Sequence, residues 1–168
     1  MNNKMEEFLN TIGINEDYLQ YFTNSSIDKV VIKKNTKRFH FIMNIDKTLP
    51  INVYKDLLSS MKNAFHNDIT LEINYQSLSS ELIEEYLTEF IEKYANKELR
   101  YGVFKNRKVN IENDEIFFPV YNKIEELNLS NIKKELERNL KKYNLKLKLK
   151  IVLKEEKNNE LLEQIEKE

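Results

Sequence analysis

The sequence predicts an α+β fold of two small domains, each ordered helix, strand, strand, helix, strand. Apolar residues recur at three- and four-residue spacing in some stretches and at every second residue in others, the marks of helices and strands respectively. The two periods alternate in the same order before and after Gln76 to Ser80. A chain of 168 residues has room for two cores, each near the lower limit of self-sufficiency.

In the first half, MEEFLNTIGI puts Met5, Phe8, Leu9 and Ile12 on one helical face, and Gly13 supplies the stop. Asn15 is placed to cap a second helix, NEDYLQYF, with Leu19 and Phe22 inward. Val30 and Ile32 then alternate with Val31 and Lys33. After the polar turn KKNTK, Phe39, Phe41, Met43 and Ile45 alternate with Arg38, His40, Ile42 and Asn44, which predicts a hairpin with one buried face. Pro50 opens a helix with Tyr54, Leu57, Leu58, Met61 and Phe65 inward. ITLEINY closes the half as a strand, with Ile69, Leu71, Ile73 and Tyr75 on one side.

The second half begins at the polar break Ser77, Ser79, Ser80, followed by a helix with Leu82, Ile83, Tyr86, Leu87, Phe90, Ile91 and Tyr94 in a wide apolar stripe. Asn96 to Asn106 has no clear period, and Gly102 argues for a turn. KVNIEND and EIFFPVY read as strands around Asn113 and Asp114, with Pro119 restricting the second to an edge or a strand end. Ser130 is expected to cap NIKKELERNLKKY. LKLKLKIVL is the clearest strand, Leu145, Leu147, Leu149, Ile151 and Leu153 against Lys146, Lys148, Lys150 and Lys154. The expected domains are 1–76 and 77–154, with 155–168 a charged tail or the start of a linker.

Composition narrows the chemistry. With 40% hydrophobic and 33% charged residues, and no apolar run near the ~18 residues of a membrane span, neither a membrane segment nor a membrane partner is expected. The acidic, amphipathic N-terminus differs from a secretory signal, so a cytoplasmic location is expected. The chain has no cysteine, which removes disulfides, thiolate nucleophiles and Cys-rich zinc sites. Its two glycines, Gly13 and Gly102, cannot build a phosphate loop, and His-Glu-x-x-His and Gly-x-Ser-x-Gly do not occur. Carboxylate pairs such as Glu84/Glu85 and Glu125/Glu126 are adjacent on helices and diverge by about 100°. No catalytic residue, metal or cofactor is expected.

His40, between Phe39 and Phe41, has no local carboxylate partner and reads as a surface or interdomain histidine, while His66 suits a helix C-terminus. The net charge of −1 hides basic clusters. Lys29, Lys33, Lys34, Lys37 and Arg38 crowd the first hairpin, Arg100, Lys105, Arg107 and Lys108 precede the second, and the last strand carries a lysine row. The candidate contact surface is therefore Lys33, Lys34, Lys37, Arg38 and His40 with Lys146, Lys148 and Lys150. It could hold a phosphate backbone or be the solvent face of two sheets. The strand aromatics mostly fall on the apolar face, away from any stacking role.

The run KVVIKKNTKRFHFIMNIDKTLPINVYKDL resembles the extreme N-terminal region of the PolC-type DNA polymerase III alpha subunit. The resemblance rests on Lys29-Val30, Lys34, Lys37, the aromatic-His-aromatic set Phe39-His40-Phe41, Leu49-Pro50 and Tyr54; family members commonly carry Trp where Phe39 stands. It implies that the chain is a non-catalytic fragment preceding the polymerase and 3′–5′ exonuclease of the full-length protein. It also implies that the first domain is similar to the docking domain of the clamp-loader tau subunit and the second to a KH-like fold. The implied partners are replisome proteins such as clamp-loader subunits, with DNA as the alternative, and a monomer is expected in isolation. KH domains that bind nucleic acid use a Gly-x-x-Gly loop, which this sequence lacks.

Overall fold

The computed structural model describes residues 3–154. The order is α1 (Asn3–Ile12), β1 (Ser26–Lys33), β2 (Arg38–Lys47), α2 (Ile51–Phe65) and β3 (Asp68–Ser77), then α3 (Ser80–Ala95), β4 (Asn110–Glu112), β5 (Glu115–Val120), α4 (Lys123–Lys142) and β6 (Lys148–Leu153). A 3-10 helix precedes each hairpin, at Glu16–Phe22 and Leu99–Phe104. The chain divides into two compact units between Leu82 and Ile83. Each holds one three-stranded sheet, ordered β1-β2-β3 and β4-β5-β6, with an antiparallel hairpin and a parallel third strand reached through a helix. The expected α+β order is thus observed twice. The expected charged tail at 155–168 lies outside the described residues.

In the first unit, α1 ends as the sequence predicts. Gly13 adopts φ +73°, and the bonds from its N–H to the Asn10 carbonyl and from Ile14 N–H to the Leu9 carbonyl form the paired cap that satisfies the last turn. NEDYLQYF is a 3-10 helix rather than an α-helix, capped by Asn15, whose side chain accepts from Asp17 N–H. Phe22 is fully buried beneath it. α1 and α2 lie on one face of the sheet, against Phe41, Met43, Ile45 and Ile73. Phe8, Phe41 and Phe65 are in ring contact there, with centroids 5.3–6.2 Å apart. His66 closes α2 by backbone geometry, with φ 52° and its N–H on the Lys62 carbonyl. Val30 and Ile32 depart from expectation: they lie on the helix side yet are 40% and 56% exposed. β1 is the outer strand, so its side chains meet the helix layer on one flank alone.

Two consequences of burial are measurable here. Ser25 is 1% exposed and its hydroxyl has no hydrogen-bond partner among the described residues. Ser25→Ala is therefore expected to raise stability by about 1 kcal/mol in denaturant unfolding, since an unpaired buried hydroxyl is a net cost. Burial also pushes the Tyr75 phenol well above its ordinary 10.0; the nearby Leu49 backbone offsets part of this and Tyr54 adds to it. The unfolded chain ionises near pH 10 while folded Tyr75 stays neutral, so its contribution is complete below pH 10 and drains away above it. Tyr75→Phe is expected to flatten that alkaline loss, read from stability curves between neutral pH and pH ~11.

In the second unit, Asn113 and Asp114 both adopt positive φ, 51° and 61°, and join the paired residues Glu112 and Glu115 in the tight hairpin geometry that twisted strands favour. β5 is the central strand, and Pro119 stands next to its last residue, the strand end that was one of the two positions expected for it. β4 pairs with β5 only as far as Phe117, so Pro119 lies beyond its reach and costs no bond on that side. Ser130 is not a cap. α4 begins seven residues earlier at Lys123, where Asn122 accepts from Glu125 N–H at 2.8 Å, and Ser130 donates to the Glu126 carbonyl within the helix. Asn144, φ 62°, ends α4 with the same paired cap that Gly13 gives α1. Gly102 lies in a 3-10 helix at ordinary φ, between the buried Tyr101 and the region of Phe104.

Candidate functional site

Strand alternation gives the first sheet a second face on which, among the described residues, no helix of this unit lies, and residues from all three strands meet there. β2 contributes Arg38, His40, Ile42 and Asn44, and the parallel register sets Asp68, Thr70, Glu72 and Asn74 of β3 beside them. The side chains pair across the strands. The Arg38 guanidinium is 3.8 Å from Asp68, Asn74 donates to Asn44 at 3.5 Å, and His40 Nδ1 and Nε2 are 2.6 Å from Thr70 Oγ1 and 3.2 Å from Glu72 Oε2. The carboxylate partner that the sequence reading could not supply for His40 thus comes from β3, 32 residues away. Both side chains are about one-third exposed, so this is a half-buried surface row rather than an enclosed centre.

β1 adds the remaining part of that face. Its register opposite His40 and Arg38 puts Lys29, Val31 and Lys33 on the open side and Val30 and Ile32 on the other. Lys33, Lys34, Lys37 and Arg38 are all exposed and cluster at the β1–β2 turn, where Lys37 takes φ 52°. Val31 is 38% exposed, so the edge carries apolar surface on both sides between lysines.

The open face of the second sheet sets Lys148 beside Glu115, Lys150 beside Phe117 and Val152 beside Pro119. Lys150 Nζ lies 5.6 Å from the Phe117 ring centroid, a cation over an aromatic face. A hollow of about 390 Å³ opens here, lined mainly by Lys108, Phe117, Pro119, Tyr121, Val152 and Lys154. Phe117 is the surface aromatic that the sequence reading passed over, although its alternation with the buried Ile116 and Phe118 marks it. Lys146 precedes β6 and lines a separate hollow with Arg138, Lys141 and Lys148. The candidate residues thus form one group in each unit.

The third basic cluster is dispersed by its structural duties. Arg107 is 10% exposed and bonds to Glu125 Oε1 at 2.7 Å and to the carbonyls of Pro119 and Val103, beneath the rings of Phe104 and Tyr121. Arg100 binds Glu98 at 2.6 Å and donates to the buried Asn128. Lys105 and Lys108 remain exposed. Among the described residues no three His, Asp or Glu side chains gather as a metal site, and no helix is long and apolar enough to cross a membrane.

Fold and surfaces together define a pair of small α+β units that present open, polar sheet faces. Residues 4–75 match the family described as DNA polymerase III polC-type N-terminus I. The chain is also 27% identical over 139 residues to a DNA polymerase III PolC-type from Oceanobacillus iheyensis, a match that covers 80% of this chain and therefore reaches into the second unit. It spans about 10% of that relative's length. No solved structure matches. The resemblance read from the aromatic-His-aromatic strand is borne out: the chain is similar to the N-terminal region of a PolC-type DNA polymerase III.

Proposed function

We propose that this chain serves DNA replication as the non-catalytic N-terminal module of a PolC-type polymerase, docking the enzyme to other replisome proteins through its first unit. The observation that supports it best is the coincidence of the matched region, 4–75, with the unit whose outer strand leaves Val30, Val31 and Ile32 exposed. Exposed apolar residues on an edge strand invite a protein partner. The similarity of this unit to the clamp-loader tau docking domain is part of the same proposal. The test is an NMR titration of the isotope-labelled chain with clamp-loader subunits. Shifts that gather in residues 26–47 support docking; an unchanged spectrum at saturating subunit removes clamp-loader docking.

A second reading, auxiliary DNA binding by a KH-like second unit, draws on the cation-over-ring pair of Lys150 and Phe117 beside exposed Lys148. Stacking on an aromatic with a lysine beside it suits a single strand. Titration with single-stranded oligonucleotide should then shift Phe117, Lys148 and Lys150 signals at low salt, with affinity falling steeply toward physiological salt. Salt-independent shifts, or none, would remove this reading.

A further inference from the structure

We propose that β1 takes up an extended segment of another protein as a fourth strand of the first sheet, and that this segment alternates acidic with apolar residues. The inference rests on the docking reading above and names the edge and the chemistry that docking would use. β1 is eight residues long, with a break in register at Asp28 and a regular ladder from Lys29 to Lys33; it lies at the end of the sheet order and, among the described residues, pairs with β2 alone. In such a ladder the outer side of the edge strand presents alternate N–H and C=O groups to any chain that can align with it.

Side-chain placement specifies the rest. A strand laid beside β1 has its side chains divided between the same two faces. On the open face they meet Lys29 and Lys33 about Val31, which favours acids. On the helix side they meet Val30 and Ile32, which stand 40% and 56% exposed at the margin of the Phe39 and Phe41 layer, and apolar residues there extend that layer. A second copy of this chain fits poorly: antiparallel self-pairing about Val31 sets Lys29 of one copy across from Lys33 of the other. Lys34, Lys37 and Arg38 at the neighbouring turn add attraction for an acidic chain. The lysines could instead serve only to keep other strands away, a known device at sheet edges. The two roles predict opposite results.

The probe is an end-capped octapeptide of alternating Glu and Val, titrated into the isotope-labelled chain of 168 residues. Shifts confined to Ser26–Lys33 and the following turn, with slowed amide exchange at alternate β1 positions, are expected. The same peptide N-methylated at alternate residues should lose binding, because it keeps its side chains but cannot complete the ladder. A Lys/Val peptide should not bind, and Ile32→Lys should weaken the Glu/Val peptide at least ~10-fold with the remaining spectrum unchanged. Absence of β1 shifts, equal binding of the N-methylated peptide, or concentration-dependent β1 shifts without peptide would overturn the proposal. Clamp-loader binding that maps away from β1 overturns the edge while leaving docking intact. Peptide binding at β1 without clamp-loader binding supports the edge and removes those subunits as the partner.

Discussion

Arg107→Ala is expected to lower the stability of the second unit by about 3–5 kcal/mol, the cost of breaking a buried pair and leaving one charge uncompensated. The guanidinium joins three elements. It bonds to Glu125 at the start of α4, to the Pro119 carbonyl in β5 and to the Val103 carbonyl in the 3-10 helix, and only 10% of its side chain is exposed. Removing it leaves the Glu125 carboxylate, 14% exposed, with the Tyr121 N–H as a remaining donor. Arg107→Lys should recover only a small part, since a single ammonium cannot span the carboxylate and two carbonyls in the planar fork. Arg107→Met with Glu125→Gln should recover most of the loss, because no charge then stays buried. Residue-resolved amide exchange in β5 and α4 reads the effect in this unit directly. A loss below about 1 kcal/mol for Arg107→Ala would mean that water solvates Glu125 as well as the arginine does.

Arg107 also shows where sequence reading stopped. Among Arg100, Lys105, Arg107 and Lys108, identical charge suggested a shared surface, but side-chain fate depends on partners distant in sequence: Glu125 lies 18 residues from Arg107 and Asn128 lies 28 from Arg100. Periodicity, by contrast, is local, which is why β2, β3, α2 and α3 were legible from their apolar spacing and the repeated element order with them. Pro119 left edge and strand end both open, because the choice depends on how far β4 extends, a property of the partner rather than of EIFFPVY. Ser130 misled because the helix start KIEELNL leaves Ile124 and Leu127 exposed, outside the inward stripe, and carries its cap signal at Asn122 instead. For the candidate surface, alternation correctly exposed Arg38 and the lysines. It could not show that His40 faces Thr70 and Glu72, since parallel register is set by the crossover through α2.

The two adjacent residues His40 and Phe41 should respond to very different degrees to the same substitution. Phe41→Ala is expected to cost about 3–5 kcal/mol, whereas His40→Ala should cost about 1 kcal/mol or less. Phe41 is 3% exposed in the central strand, with the rings of Phe8 and Phe65 at 5.6 and 5.3 Å, so alanine leaves a cavity between sheet and helices that two rigid rings cannot fill by small shifts. His40 points to the open face, where water can replace the bonds to Thr70 and Glu72 once the imidazole is gone. Denaturant unfolding of both variants decides the matter. Equal losses would mean that the His40, Thr70, Glu72 row is part of the framework of the sheet and not a surface layer on it. The expected split makes His40→Ala and Arg38→Ala folded variants with an altered face, so any partner binding they lose is lost from that surface. The same loss in Phe41→Ala would carry no such meaning, because the strand that presents the surface would itself be unstable.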